Sequence, residues 1–168
     1  PDQETWHHYV VTADAENNVR LYIDGVEVKN GTAAARNIPG GASLLLGPLQ
    51  EGCDCAIDDF RIYDRALGAS EIVDLFGDGN GDFGAHPFST YSPNFDNSPE
   101  IVLPSNPIVH WTFDELNGTV VVDSSGVGNV GDGTSFSDLY LFSEVGRNGT
   151  SLRFDGNQTL LLPSDVAT

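Results

Sequence analysis

The sequence predicts an all-β protein, built as an antiparallel β-sandwich with one short helix near residues 70–76. Three observations support this class. Short runs that alternate apolar and polar residues recur along the chain, as in Val19–Ile23 and Ile108–Phe113. Tight-turn sequences such as Asp24-Gly25 separate these runs. Short strands divided by turns at this spacing are typical of sandwiches.

The first part of the chain is predicted to be a meander followed by two more strands. Residues 6–13 are rich in β-branched and aromatic types, and Asp24-Gly25 is a strong hairpin signal between two alternating runs. Gly40-Gly41 precedes a short apolar run. The predicted strands here are 6–13, 19–23, 26–28, 43–46 and 56–63, the last as one continuous alternating strand.

The short helix is predicted from a change of period after residue 64. Apolar residues take rough helical spacing there, at Leu67, Ile72, Val73 and Phe76. Ser70 is a plausible N-cap for a helix running from Glu71 to Phe76.

Residues 77–106 are predicted to be a linker or a long surface loop. They hold four glycines and four prolines, lack basic residues and show no periodicity. Strands then resume, with turns expected at 123–126 and at Asp155-Gly156. The predicted strands of this last part are 108–113, 120–122, 151–154 and 160–162.

The charge balance excludes several kinds of partner. Asp and Glu number 25 against 7 Lys and Arg, for a net charge of −18. Such a chain repels nucleic acids and anionic lipid, and it attracts divalent cations. No run approaches the ~18 apolar residues of a membrane helix, so no membrane insertion is expected. We expect a salt-rich, extracellular or cell-surface setting and a chain cut from a longer sequence.

The two cysteines, Cys53 and Cys55, leave several states open. Two free or partly buried thiols are the favoured interpretation, and a disulfide is the main alternative. A metal site on two thiols alone is disfavoured. Four Asn-x-Thr sequons, at Asn30, Asn117, Asn148 and Asn157, are better explained as turn sequences than as glycosylation sites.

Several motifs resemble the laminin-G-like, concanavalin A-like jelly rolls of surface proteins and polysaccharide-acting enzymes. One set resembles the C-terminal half of that domain: Trp6 to Val10, Leu21 to Val26, Ile57 to Leu67, and Glu71-Ile72. A second set resembles its opening: Trp111 to Glu115, Asp123 to Gly126, Gly128-Asn129, Gly146-Arg147, and Ser151 to Gly156. The resemblance implies a jelly roll, with Trp6 and Trp111 at core positions.

The two halves stand in reverse order, which predicts three regions. Residues 1–76 form the C-terminal half, 77–106 the linker and 107–168 the N-terminal half. Either the chain spans the junction of two tandem domains, which is the favoured account, or it is a reduced circular permutant. In a permutant, residues 108–113 would pair antiparallel with 56–63 of the same chain. In an array, other sequence or another copy would complete each half.

Calcium is the cofactor that the resemblance implies. This class often holds a structural calcium where the first strand, the Phe-Asp-Gly turn and the last strand converge, which nominates Asp58, Asp114, Asp155 and Gly156. Asp59, Glu115 and Asp123 are second choices. The alternative is that these acids form turns and solvated strand faces. Calcium prefers six to eight oxygen ligands, which carboxylates and carbonyls supply.

Other candidate sites are weaker. Asp78 to Asp82 opens like an EF-type loop, but Phe83 replaces its required glycine and Ser89 its final glutamate. The four histidines have no metal-ligand spacing, and His7-His8 is expected to be structural. No paired-carboxylate glucanase strand, nucleophile elbow or phosphate loop is present, so no enzyme is expected.

Two functions remain. The chain is expected to be a non-catalytic extracellular structural or adhesive repeat of a large surface protein or filament, stabilised by calcium, whose partners are other copies or neighbouring repeats. The alternative is a carbohydrate-binding accessory module of a polysaccharide-degrading enzyme, with glycans as partners. Fold alone does not choose between them.

Overall fold

A computed structural model of the chain describes residues 5–34, 44–46, 55–77, 107–115, 117–127, 133–135, 143–154 and 160–162. Contacts divide the chain into two units. Unit 1 comprises Pro1–Ala35 and Arg65–Ser105, and unit 2 comprises Arg36–Asp64 and Asn106–Thr168. Almost all of the predicted linker, together with Asp78 to Asp82, lies outside the described residues.

Unit 1 contains the predicted meander. Strands β1 (Tyr9–Ala13), β2 (Asn18–Ile23) and β3 (Val26–Thr32) form one antiparallel sheet in that order. Tyr9 pairs with Ile23, which pairs in turn with Val26 on β3. A bulge between Leu21 and Tyr22 shifts the register, so that Leu21 faces Lys29 and Tyr22 faces Glu27.

The turn between β2 and β3 is the hairpin turn that the sequence predicts. Asp24 and Gly25 have φ of 51° and 77°, and positive φ at both central residues is the requirement of a type I′ turn. The Asp24 carboxylate also accepts the backbone N–H of His8 at 2.9 Å and lies 2.7 Å from His7 Nδ1. Both histidines therefore fix the turn, and the His8 ring also stacks on Phe76.

Helix α1 spans Ala69–Phe76 and confirms the predicted helix, but its N-cap is Gly68 and not Ser70. With Gly68 as N-cap, Glu71 occupies the third helical position, from which its side chain accepts the Gly68 N–H at 2.8 Å. A two-point contact from the Arg65 guanidinium lowers the pKa of Glu71 to about 2. The acidic side chain thus secures the helix start, and Ser70 lies inside the helix.

Unit 2 consists of nine short strands in three antiparallel sheets among the described residues. Their orders are β4-β12-β9-β8, β10-β11-β5 and β6-β7. The strands are β4 (Leu44–Leu46), β5 (Cys55–Ile57), β6 (Phe60–Ile62), β7 (Val109–Trp111), β8 (Val120–Val121), β9 (Gly133–Ser135), β10 (Ser143–Val145), β11 (Thr150–Phe154) and β12 (Leu160–Leu162). The predicted all-β sandwich with one short helix is confirmed.

Three ladders join the earlier part of unit 2 to the later part. Strand β4 pairs with β12, β5 with β11 and β6 with β7, all antiparallel. In the last ladder Phe60 faces Trp111 and Ile62 faces Val109. This is the pairing that the permutant account expects, whereas the favoured array account assigns these strands to other partners. The boundaries at residues 76 and 107 stay a prediction.

The predicted single strand over 56–63 is wrong in one respect. Asp58 and Asp59 interrupt it, and β5 and β6 belong to different sheets. Asp59 has a φ of 54°, a left-handed conformation that ends regular strand pairing and that Asp tolerates better than most residues. The interruption turns the carboxylates of Asp58 and Asp59 to different partners, as described below.

One apolar core lies between the sheets of unit 2. Trp111 is fully buried, as predicted, and its ring lies 5.3 Å from Phe60 and 6.1 Å from Phe113 between centroids. The buried residues are Val109, Trp111, Phe113, Val121, Leu152, Phe154, Leu160 and Leu162, and Cys55, Ile57 and Phe60 pack against them. Trp6, by contrast, is 37% exposed, so its predicted core position is wrong.

Cys55 is disulfide-bonded, which favours the disulfide alternative over free thiols. The sequence has just one other cysteine, Cys53, which lies outside the described residues. Within the described part of the chain, no helix has the length and apolar character needed to span a bilayer.

The core depends on a glycine that lets a strand approach Trp111. A Cβ at Gly133 would lie 2.7 Å from the indole, inside van der Waals contact, whereas a Cβ at Gly31 would meet nothing within 4 Å. We therefore expect Gly133→Ala to lower the free energy of unfolding by about 1–3 kcal/mol through overpacking. Urea unfolding measures this, and Gly31→Ala is the matched control. Equal effects of the two variants would contradict the packing described here.

Candidate metal centre

Two of the four predicted calcium ligands are described by the structure, and both belong to unit 2. Asp58 follows β5, and Asp114 follows β7 after the residues Thr112 and Phe113. Asp155 and Gly156 lie outside the described residues. The structure therefore gives the surroundings of two of the four predicted calcium ligands, Asp58 and Asp114.

Asp58 binds a turn that is distant in sequence. Its Oδ2 accepts the backbone N–H of Asn148 at 2.9 Å. Burial raises the pKa of Asp58, and the negative charge of Asp59 adds to the rise, although backbone N–H donors oppose it. A half-buried carboxylate that remains costly to ionise is a group that a cation would stabilise.

Asp114 binds the same turn two residues further on. Its Oδ1 accepts the backbone N–H of Thr150 at 2.9 Å. The Thr150 hydroxyl in turn donates to the carbonyl of Phe113, the residue before Asp114, at 2.5 Å. Phe113 has a φ of 59°, so the backbone beside each of the two carboxylates, at Asp59 and at Phe113, is left-handed.

The turn that joins them, residues 146–150, is closed by the Gly146 N–H donating to the Gly149 carbonyl at 3.1 Å. Its two glycines permit the close approach of both carboxylates. A Cβ at Gly146 would lie 2.8 Å from Asp58 Oδ2, and one at Gly149 would overlap Asp114 Oδ1. Gly149 also has a φ of 68°, which favours glycine.

Asp58 and Asp114 therefore share this turn as a hydrogen-bonding partner, a role that the sequence analysis did not assign to it. The available signal was the spacing of Gly146 and Gly149 around an Asn. The sequon at Asn148 lies in this turn, and the one at Asn117 precedes a positive-φ glycine, as turn chemistry predicts. The sequon at Asn30 instead lies in β3.

The second-choice acids have other partners. Burial alone would raise the pKa of Asp59, but a hydrogen bond from His110 and the charge of Arg61 outweigh it and hold that pKa below its usual value. His110 Nε2 lies 2.5 Å from Asp59 Oδ1, and Arg61 Nη2 donates to Asp59 Oδ2 at 2.8 Å. Asp59 is thus already paired with the Arg61 guanidinium and hydrogen-bonded to His110.

Asp123 and Glu115 hold the loops after β7 and β8. Asp123 is buried and accepts the His110 N–H together with the N–H and hydroxyl of Ser125, all within 3.0 Å. Glu115 Oε1 accepts the Val122 N–H at 2.8 Å. Its Oε2 is buried and has no hydrogen-bond partner in the described part of the chain.

The oxygen ligands found here are of the type that calcium binds, but they are fewer than the six to eight that it usually takes. Two carboxylates match a hard cation that prefers oxygen ligands, whereas the turn meets both of them with backbone N–H donors. Among the residues that the structure describes, no three His, Cys, Asp or Glu side chains lie close enough to hold a metal ion together. Further ligands would have to be carbonyls, water or the predicted Asp155-Gly156 turn.

In the metal-free protein, Asp58 and Asp59 are expected to contribute to the pH dependence of the free energy of unfolding with opposite signs. The raised pKa of Asp58 means that its ionised form destabilises the fold at neutral pH and that this cost fades as pH falls through the folded-state pKa toward 3.8. The lowered pKa of Asp59 means that ionised Asp59 stabilises the fold. This stabilisation is fully present above pH 3.8 and is lost as the pH falls through the folded-state pKa of Asp59.

We therefore expect Asp59→Asn to destabilise the metal-free protein at pH 7 by about 1–3 kcal/mol, because Arg61 and His110 lose their anionic partner. Asp58→Asn, which keeps an acceptor oxygen, should be neutral or stabilising under the same conditions. Urea unfolding in chelator at pH 7 and pH 4 measures both. Equal losses in the two variants would contradict the assigned environments.

Comparison with known families gives a match for the first part of the chain. Residues 1–73 match the Laminin_G_3 family model, described as the concanavalin A-like lectin/glucanases superfamily. No curated protein and no solved structure matches the chain. The matched residues contain the whole β1–β3 meander together with β4, β5 and β6. Residues 1–73 are therefore similar to the laminin-G-like domains of a superfamily whose description names both lectins and glucanases.

Proposed function

We propose that this chain is a non-catalytic, extracellular structural or adhesive β-sandwich module that calcium stabilises. The observation that carries the proposal is the convergence of Asp58 and Asp114, 56 positions apart, on the turn 146–150. A cation bound there would connect β5, β7 and the turn before β11. Calcium would thus strengthen the ladders that join the earlier and later parts of unit 2.

The charge of the chain supports the same proposal. A net charge of −18 opposes compaction at low ionic strength, and divalent cations relieve both the general repulsion and the local cost of burying Asp58. Calcium levels outside cells suit the weak sites, with dissociation constants of about 10⁻⁴–10⁻³ M, that extracellular modules use. Neighbouring repeats or other copies would then be the partners of a stiffened module.

Thermal unfolding with and without calcium tests the proposal. At 10 mM calcium such a site would be ten- to a hundredfold above its dissociation constant, which corresponds to about 1.4–2.7 kcal/mol. For a chain of this size we expect the Tm to rise by roughly 3–10 °C. Magnesium at the same concentration controls for general screening, because it dehydrates reluctantly and demands octahedral geometry.

Three variants show which side chains the calcium-dependent rise in Tm requires. Asp58→Asn and Asp114→Asn should each abolish most of the calcium-dependent rise in Tm, whereas Asp64→Asn, at an exposed acid just after β6, should leave it intact. A wild-type Tm that calcium does not change, or that magnesium raises equally, would refute the calcium site.

Carbohydrate binding is the second candidate, and a polar depression on the β2–β3 face of unit 1 favours it. Its volume is about 370 Å³, and it is lined by Asn18, Arg20, Glu27, Asn30, Gly31 and Thr32. Asn30 Nδ2 donates to Glu27 Oε1 at 2.6 Å, and Arg20 lies 3.9 Å from Glu27. Paired charges and amides in an acidic chain suit a neutral, hydroxyl-rich ligand better than an ion.

Affinity electrophoresis tests this candidate with two neutral polysaccharides, laminarin and hydroxyethyl cellulose, and with the anionic alginate. We expect a neutral polymer to retard the wild-type chain and the retardation to fall severalfold in Arg20→Ala and Asn30→Ala. Lys29→Ala is the control, since Lys29 pairs with Leu21 on the other face of the sheet. Lack of retardation by both neutral polymers would rule the depression out as their binding site.

A further inference from the structure

The tripeptide Asn-Gly-Thr occurs three times in the chain, in different surroundings. The copies begin at Asn30, Asn117 and Asn148. The first and the last also follow a basic residue, so their local sequences are closely matched. Asn30 lies in β3, whereas Asn148 lies in the turn 146–150 of the candidate metal centre. A difference in reactivity between these two copies would therefore come from the structure around them.

An asparagine that precedes glycine can lose its side-chain amide without an enzyme. The glycine nitrogen attacks Cγ of the asparagine and forms a C–N bond, while the Cγ–Nδ2 bond breaks. The glycine N–H proton leaves with the amide nitrogen as ammonia. Water then opens the succinimide ring at either carbonyl, which gives aspartate or isoaspartate. The two reacting groups must approach each other, so a backbone held in a ladder reacts when it opens locally.

Asn30 is held in a conformation that opposes this reaction. In the β2–β3 ladder Asn30 pairs with Arg20, and Gly31 pairs with Val19. The Asn30 Nδ2 also donates to Glu27 Oε1 at 2.6 Å. Ring closure would have to break this hydrogen bond and rotate the strand out of its pairing. The reaction at Asn30 therefore depends on local unfolding of β3.

At Asn148 the two reacting groups lie outside the contacts that fix the turn. Those contacts use the Asn148 N–H, the Thr150 N–H and the Gly149 carbonyl. Within the described part of the chain, the Asn148 side chain and the Gly149 N–H make no hydrogen bond. Both residues are exposed, and Gly149 has a φ of 68°. The attacking nitrogen and the Cγ that it attacks can therefore meet while β11 remains paired.

We propose that Asn148 is a site of spontaneous deamidation and that the reaction opens the turn 146–150. Isoaspartate carries the main chain through its side chain, which adds one C–C bond of about 1.5 Å. The addition lies between the N–H groups of residues 148 and 150, which donate to Asp58 and Asp114, and it moves these two donors apart. Either product also adds a carboxylate near Asp58, and like charges oppose ionisation there.

The inference deepens the proposed function, because a turn that has lost one of these contacts no longer joins Asp58 to Asp114. It rests on that function only where it concerns calcium, since the reaction itself needs no metal. A chain that deamidates at Asn148 without any calcium effect on its Tm loses the metal centre and keeps the modification site. A chain whose Tm responds to calcium while Asn148 stays intact loses the modification site alone.

Peptide mapping of the full chain after incubation at pH 8 and 37 °C in chelator tests the site. Cleavage after glutamate places the three copies in separate peptides, 28–51, 116–144 and 145–168, in which tandem mass spectrometry locates each deamidated residue. We expect Asn148 to react at least tenfold faster than Asn30 in the folded chain. In 8 M urea the two rates should agree within twofold. Equal rates in the folded chain, or a difference that persists in urea, overturn the inference.

Two glutamine variants test the consequence for the turn. Asn148→Gln keeps an exposed amide but must close a larger ring, so residue 148 should stay unmodified. Asn30→Gln is the matched control, and both variants retain Asn117. After the same incubation in chelator, we expect wild type and Asn30→Gln to lose several degrees of Tm more than Asn148→Gln, each relative to its own starting value. Equal losses in the two variants overturn the proposed opening of the turn.

Discussion

Antiparallel pairing between the earlier and later parts of unit 2 is the constraint on which the rest of that unit depends. The ladders β4–β12, β5–β11 and β6–β7 connect segments that lie far apart in sequence. Most of the buried core, including Trp111 and Phe154, comes from the later segment, whereas Phe60 and Ile57, which pack against it, come from the earlier one. Neither segment alone could cover its apolar residues, so sheet pairing and core formation occur together.

The candidate metal centre is a consequence of the same pairing. Strands β5 and β7 place Asp58 and Asp114, and the turn before β11 receives both carboxylates. Left-handed backbone at Asp59 and Phe113 adds local strain beside each of them, and such strain persists where the surroundings determine it strongly. Asp58 and Asp59 then differ in role. Asp59 is balanced by Arg61 and His110, and Asp58 remains the group whose ionisation is costly.

Local patterns predicted much of the fold because they act over a few residues. Alternation and the Asp24-Gly25 turn predicted the meander, and helical spacing predicted α1. Two of these local predictions were wrong for physical reasons. Gly68 caps α1 because Glu71 reaches back to its N–H, and the left-handed Asp59 divides the strand expected over 56–63. The turn 146–150 as a common partner of two carboxylates depends on tertiary contacts between distant segments, which local periodicity does not encode.

Native-state hydrogen exchange in unit 2 tests the central claim most directly. If the ladders and the core form one cooperative structure, the amides of Phe60–Ile62 and of Val109–Trp111 should open with the same free energy, and that value should fall equally for both strands as urea is added. It should also be independent of protein concentration, since both strands belong to one chain. Distinct opening free energies for β6 and β7, or protection that vanishes on dilution, would contradict the account.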